Sequence, residues 1–502
     1  LFTKSFYAAM GACFGRCVCA FLFSACLSFV LGFLMGLSPG ADIFFKFPLA
    51  LIKATPAVTF VLLALFWFNS GNVPVFVAFL MTLPILTQAA AAGVGQCDEK
   101  LKQMCRVFGF SPVQKCLYLY FPSIWGQFAP ALISSFELTW KVVLAGEILS
   151  LPKNSVGAAL YSAKVHLESA EVFAWTFAVV IFSQLCKFLI IWAVKQSKNL
   201  GEKLEKRKNC PKTAQIENND DFLSYFESIK SALNPDQAAP DINVENLCLG
   251  FDERQIFDNF NISFARGKVT AILAPSGAGK TTLLNCIAGI LPYKSGRIAF
   301  INEESAHSSP KKSGNNLSFG RSFCKNSQNP VKNASAAHFS YIFQDFRFLP
   351  WFSIEKNCQI AAKAQKNNLQ NKQKSAICAG LLNFFNINAQ KMSKPANLSG
   401  GEKQRSAFAR GLAVFAPVLL LDEAFNAQDL AAKKRLYKVF CAYQKVFAPT
   451  TILVTHSADE ALALADRIVV LKGDLAQNGG VQIVLDKNTG SLKEEEISAV
   501  LS

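Results

Sequence analysis

Ser399-Gly400-Gly401-Glu402 and, upstream of it, Ala274-Pro275-Ser276-Gly277-Ala278-Gly279-Lys280-Thr281-Thr282 are two separate places where one chain could hold phosphate. Ser399 and Glu402 have the spacing of a capping box. Two glycines therefore fall in the first turn of a helix whose free N–H groups and positive dipole end favour an anion. The upstream run follows Val269-Thr270-Ala271-Ile272-Leu273, a buried-strand pattern, and Thr281-Thr282-Leu283-Leu284 opens a helix. In that setting backbone N–H groups wrap the β- and γ-phosphates of a nucleoside triphosphate, Lys280 supplies positive charge and Thr281 holds Mg²⁺. The first glycine of the pattern is Ala274, which the turn tolerates while φ stays negative. Val418-Leu419-Leu420-Leu421 reads as a central parallel strand that delivers Asp422 and Glu423 to its carboxyl end, where α/β sheets bind ligands. Asp422 would orient Mg²⁺ through water, and Glu423 would be the general base that polarises the attacking water. Ile452-Leu453-Val454-Thr455 delivers His456 in the same way.

The run Leu398-Ser399-Gly400-Gly401-Glu402-Lys403-Gln404-Arg405 resembles the signature of ATP-binding-cassette (ABC) ATPases, and the other motifs of that family follow in order. The resemblance implies that ATP and Mg²⁺ are the cofactors and that the ATPase has an α/β P-loop fold with a helical subdomain. It adds Gln344, in Tyr341-Ile342-Phe343-Gln344, as a residue touching both Mg²⁺ and a permease. It places Phe251, before the first strand, on the adenine, and makes His456, in Thr455-His456-Ser457-Ala458-Asp459-Glu460-Ala461, the switch histidine at the γ-phosphate. Ala424-Phe425-Asn426-Ala427-Gln428-Asp429 keeps Asp429 but departs from the family's Pro-Phe-Ser-Ala-Leu-Asp, which puts the strength of cross-subunit coupling in doubt. Leu349-Pro350-Trp351 resembles the nitrate, sulfonate and taurine branch.

These residues must be carried by a chain of 502 residues that is 51% hydrophobic, with 45 phenylalanines and a mean hydropathy of +0.25. The apolar residues concentrate before position 198, too densely for a simple soluble enzyme. Five segments have the length a bilayer core needs: Cys17–Leu37, Phe47–Phe68, Asn72–Gly95, Phe128–Leu149 and Val172–Val194. The expected fold is an all-α membrane bundle over 1–197 fused to a cassette over 241–502, in the cytoplasmic membrane with the cassette in the cytoplasm. Lys100, Lys102, Arg106 and Lys115 crowd one loop and Lys195, Lys198, Lys203, Lys206, Arg207 and Lys208 follow the last span. Both belong on the cytoplasmic side, which puts Leu1 outside. The net charge of +16 is spread without aromatic interleaving, which argues against nucleic acid as a partner. The 15 cysteines lack Cys-x-x-Cys pairs and read as reduced, mostly buried thiols. Glu137, Lys141 and Glu147 are costly at depth; each either faces the bundle interior or, for Lys141 and Glu147, snorkels to the interface.

In the loop 98–122, Leu101, Met104, Cys105 and Phe108 form one helical stripe, Gly109 caps it, and Ser111-Pro112 opens a second helix. An amphipathic helix pair in a loop needs a partner surface. Asp98–Phe121 is similar to the coupling (EAA) loop of type I ABC importer permeases, without the literal Glu-Ala-Ala and with Phe121 in place of Leu. The wider likeness to nitrate, sulfonate and taurine permeases includes Pro56, Trp67, Pro84, Trp140 and Glu147. Those permeases usually carry a sixth, N-terminal helix, and this chain starts at Leu rather than Met, which leaves truncation open. Residues 198–240 read as a tether with a weak amphipathic patch at Phe222–Leu233, and 302–337 as a Ser/Asn/Lys-rich insertion unable to support a core. One P-loop and one separate clamp per chain imply a homodimer with shared ATP sites. The resemblance implies a fused half-importer of a small organic solute or anion, served by an external solute-binding protein. The alternatives are a non-transporting ABC machine that transmits signal or force, and a degenerate copy marked by Ala274 and Gln428.

Overall fold

The computed structural model describes residues 4–208, 222–233, 239–251, 254–275, 277–301, 339–365, 368–425, 430–473, 480–492, 496–497 and 500, with the side chains of 197–208 and 254 not described. The chain divides into two units: Leu1–Asp98 with Cys116–Asn209, and Glu99–Lys115 with Cys210–Ser502.

The first unit is helical. It contains α1 (Lys4–Leu37), α2 (Pro39–Ala54), α3 (Ala57–Ala64) and α4 (Val73–Gly95). The chain then passes through α5 (Glu99–Val107) and α6 (Pro112–Lys115), which belong to the second unit, and returns by a π-helical turn, Cys116–Tyr120. After it come α7 (Phe121–Ser150), α8 (Val156–Val165) and α9 (Ser169–Lys208). Among the described residues, four helices are long and apolar enough to cross a membrane, or five if the bent pair α2 and α3 counts as one. That pair covers the expected span Phe47–Phe68 and is bent: the two helices meet at 94°. The cause is Pro56, which forces Thr55 into an extended conformation (φ −81°, ψ 130°) and caps α3.

Small residues let α1 and α4 approach closely. A Cβ on Gly32 would lie 2.5 Å from Ala90 Cβ and 2.6 Å from the Thr87 carbonyl. Thr82 Oγ1 donates to Ser24 Oγ at 2.9 Å and Ser28 Oγ to the Leu83 carbonyl at 3.0 Å across the same seam. Of the three charged residues on α7, Glu147 is fully buried, Glu137 pairs with Lys187 at 2.5 Å, and Lys141 is exposed. Glu147 accepts from Arg16 Nη1 at 2.7 Å and from the Gly157 N–H at 3.1 Å, tying α1, α7 and the start of α8 together. Arg16→Met would strand that carboxylate, at a cost of about 3–5 kcal/mol. Thermal unfolding in detergent should show a lowered melting temperature, and Arg16→Met/Glu147→Gln should recover part of the loss. A single variant melting like the parent would refute the pair's structural role.

The second unit continues with α10 (Phe222–Ala232), β1 (Asp241–Phe251), β2 (Arg254–Phe264), β3 (Val269–Leu273), α11 (Lys280–Ile287) and β4 (Ser295–Ile301). Then come β5 (Phe339–Ile342), α12 (Ile354–Ala364), α13 (Asn371–Phe384), α14 (Gly400–Leu412), β6 (Val418–Asp422) and α15 (Leu430–Phe447). It ends with β7 (Thr450–Thr455), α16 (Ala458–Leu464), β8 (Arg467–Lys472) and β9 (Gln482–Asn488). One antiparallel sheet has the order β2-β1-β4, and a second has the order β5-β6-β7-β3-β8-β9, parallel except for β9. Helices α12, α13 and α14 form the helical subdomain. Strands β3, β5, β6 and β7 are buried throughout, which is why they are dominated by apolar residues, with Thr, Ser and the final Asp422 of β6 as the exceptions.

Two expectations change here. Phe222–Leu233, read as a patch in a tether, is α10 packed into the cassette core: Phe226 meets Tyr443 at 5.5 Å and Phe222 meets Phe384 at 5.1 Å between ring centroids. The aromatic and β-branched face of that helix had a buried partner that linker composition concealed. Phe251 ends the first strand rather than preceding it. The insertion 302–337 and the tether residues 209–221 lie outside the described residues.

Candidate functional site

The carboxyl ends of β3, β6 and β7 converge because the sheet order makes them neighbours. After β3 the chain turns through Gly277 (φ 84°) and Gly279 (φ 80°), and Gly279 is the N-cap of α11. Both glycines hold left-handed backbone that a Cβ would disfavour. Ala274 is buried and is not among the residues with positive φ, so its methyl group fits the turn. Pro275 is exposed, Ala278 buried, and Ala278 N–H donates to the Pro275 carbonyl at 3.3 Å. Ser276 lies outside the described residues. Lys280 Nζ donates to the carbonyls of Ala274 (2.5 Å) and Pro275 (3.0 Å). Burial lowers its pKa, while Glu423 and Asp422 favour its charge. Thr282 is half-buried in the first turn of α11.

Thr281 Oγ1 donates to Asp422 Oδ1 at 3.0 Å, and the Tyr341 hydroxyl donates to Asp422 Oδ2 at 3.4 Å. Burial pushes the Asp422 carboxyl up to about 6, against the lowering effect of the Thr281 bond. The next residue, Glu423, sits at φ 47° with its N–H on the Val454 carbonyl at 3.0 Å. A left-handed non-glycine residue costs roughly 1–2 kcal/mol. The turn aims the Glu423 side chain at Gln344, whose Nε2 donates to Glu423 Oε2 at 2.8 Å, and at His456, whose Nδ1 lies 3.9 Å from Oε1. His456 is 58% exposed. Thr281 and Asp422 offer hard oxygen donors side by side at one edge of the loop, a pair that suits Mg²⁺ sharing its coordination with phosphate oxygens.

The capping box at the second anion site forms as its spacing implies. Ser399 N–H donates to Glu402 Oε2 at 2.9 Å, and Glu402 N–H to Ser399 Oγ at 3.3 Å. The Ser399 N–H and hydroxyl together lower the Glu402 pKa. A Cβ on Gly400 would meet nothing within 4 Å, so the chain itself does not demand glycine there. Gly401 follows in the first turn of α14. Among the described residues, no hydrogen bond or ion pair recorded for Ser399 or Glu402 reaches the loop at Lys280. Phe251 is 48% exposed, and Asp429 lies outside the described residues.

Next to Gln344 lies the amphipathic segment that the sequence singled out. Leu101, Met104 and Phe108 are buried, and Gly109 (φ 72°) ends α5. Phe110 N–H donates to the Cys105 carbonyl at 3.0 Å, the long bond of a Schellman cap. Lys100 Nζ meets Asp345 Oδ2 at 2.9 Å, and Arg347 Nη1 donates to Gln103 Oε1 at 2.9 Å. Lys100 and Arg347 hold Asp345 below its usual carboxylate range despite its burial. Sequence reasoning did not single out Asp345, Arg347 or Arg410, because their partners come from distant parts of the chain. The available signal was a lone arginine in the otherwise apolar run Phe408-Ala409-Arg410-Gly411-Leu412.

Residues 257–426 match the ABC transporter family. The chain is 30% identical over 270 residues to an aliphatic sulfonates import ATP-binding protein of Pseudomonas savastanoi pv. phaseolicola, covering 53% of this chain and 85% of that protein. It is 31% identical over 252 residues to a spermidine/putrescine import ATP-binding protein of Pasteurella multocida, covering 50% of this chain and 61% of that protein. The chain thus spans about three fifths of the length of that second relative, 61%. A dimeric ATP-binding cassette solved with ADP and Pi aligns at 20% identity and a TM-score of 0.40, over 49% of this chain and 98% of that one. The chain belongs to the ABC transporter family, and its cassette is related to import ATP-binding proteins.

Proposed function

We propose that the chain is a fused half-importer, a membrane-embedded permease joined to an ATPase. It hydrolyses Mg·ATP at sites shared between two copies to drive uptake of a small organic solute or anion. The cargo class is sulfonate, nitrate, taurine or a vitamin precursor, delivered by an external solute-binding protein, and the names of the sulfonate and polyamine relatives support import as the direction. In this reading Phe251 stacks on adenine, residues 275–282 wrap the phosphates, and Thr281, Gln344 and Asp422 hold Mg²⁺. Glu423 activates water, His456 contacts the γ-phosphate, and Ser399–Glu402 with Asp429 closes on the nucleotide of the other copy. Mg²⁺ would neutralise charge developing on the transferred phosphoryl group.

The observation that supports coupling most is the packing of Leu101–Gly109 beside Gln344, with Lys100 on Asp345 and Gln103 on Arg347. Gly109→Leu would put a branched side chain at φ 72°, disfavoured by roughly 1–2 kcal/mol and so by about tenfold in the docked population. The full chain in proteoliposomes, with candidate binding proteins and their ligands, should show ligand-stimulated ATP hydrolysis. Gly109→Leu should lose about tenfold of that stimulation while ATP binding persists. Stimulation equal to the parent's would rule out coupling through this segment.

A further inference from the structure

Arg410 is 1% exposed, yet among the described residues no carboxylate hydrogen-bonds to it. Its guanidinium donates to the carbonyls of Phe346 (Nη2, 2.5 Å) and Arg347 (Nη1, 2.8 Å). It lies over the rings of Phe348 and Phe108, at 4.6 and 5.2 Å from their centroids, and Nη1 is 3.4 Å from Met104 Sδ. Phe346 and Arg347 are consecutive left-handed residues (φ 58° and 45°), a conformation that needs outside support. Arg410 is such a support, since charge-assisted bonds to carbonyls are the strong ones. Burial lowers its pKa only to about 10, so it stays charged at neutral pH.

Three segments meet at this one side chain. Phe346 and Arg347 follow Gln344 with only Asp345 between. Met104 and Phe108 belong to the amphipathic segment. Arg410 itself stands on α14, an uninterrupted helix whose other end is the Ser399 cap. Resting on the coupling reading above, we propose that Arg410 is a positioning residue that locks α14 and the Gln344 segment to the segment 99–109. Nucleotide contacts at either end then move the docking segment as one body. The planar fork matters: a lysine ammonium can keep the charge but cannot bond both carbonyls while facing two rings.

The test is hydrogen–deuterium exchange on the full chain in lipid nanodiscs, in a Glu423→Gln background, with and without Mg·ATP. In that parent, peptides covering 99–115 should change protection when ATP binds. With Arg410→Lys added, trapped ATP should persist, and the ATP-induced change at 99–115 should shrink about threefold or more. Phe108→Leu approaches the same contact from outside the cassette core and should give the same loss, which keeps the test valid if Arg410→Lys folds poorly. A merely structural arginine would alter nucleotide-free protection and leave the ATP-induced change intact. A full change in both variants overturns the proposal. No change in the Glu423→Gln parent overturns the coupling reading itself, and the Arg410 role with it.

Discussion

Glu423→Gln should leave Mg·ATP bound and lower its hydrolysis by about 10²-fold or more, the usual worth of a general base. The substitution keeps the shape of a side chain whose direction is set by its left-handed backbone and by its N–H bond to Val454. It removes only the charge and basicity of a carboxylate whose Oε2 faces Gln344 and whose Oε1 faces His456. Asp422, bonded to Thr281 and Tyr341, is untouched, so the Mg²⁺ donors remain. Steady-state phosphate release and filter-trapped nucleotide separate the two effects. An unchanged rate would exclude Glu423 as the base and move that role to another group.

The second large effect concerns which chain supplies which half of a site. A Lys280→Ala chain paired with a Ser399→Arg chain would give one site carrying both lesions and one carrying neither, whereas neither mutant homodimer keeps an intact site. With Glu423→Gln in both copies and a different tag on each, the purified mixed dimer should trap about one nucleotide, and the homodimers close to none. The capping box at Ser399 bonds only within the start of its own helix among the described residues, to Glu402 and Lys403, and the space around Gly400 is open. A mixed dimer that traps no more than the homodimers would mean that clamp and loop act within one chain.

What the sequence disclosed was local. The strand-turn-helix at 269–282, the Ser399 box and the Gly109 cap each depend on residues within one or two turns of one another, so spacing alone determined their geometry. The sheet-end position of Asp422 followed from an apolar run that only a buried parallel strand explains. What spacing could not disclose was anything assembled from distant segments. Arg410 looks like an anomaly until Phe108 and the Phe346 carbonyl surround it. Composition was silent in two places: hydropathy could not show the bend at Pro56 between α2 and α3, and the polar flanks of Phe222–Ala232 hid a helix that buries three apolar residues. Glu147 lay between the two, since its burial was a fair expectation but its partner, Arg16, sits 131 positions away.

If nucleotide turnover in the cassette moves solute through the membrane unit, solute should accumulate in proteoliposomes with Mg·ATP on the cassette side and a solute-loaded binding protein on the other. The panel would include sulfonates, nitrate, taurine and pyrimidine vitamin precursors. ATP-dependent accumulation of at least one solute is expected, lost in Glu423→Gln together with hydrolysis and lost in Gly109→Leu while ATP still binds. Sustained hydrolysis that Gly109→Leu leaves unchanged, with no solute accumulating, would contradict it and favour a machine that transmits force or signal instead.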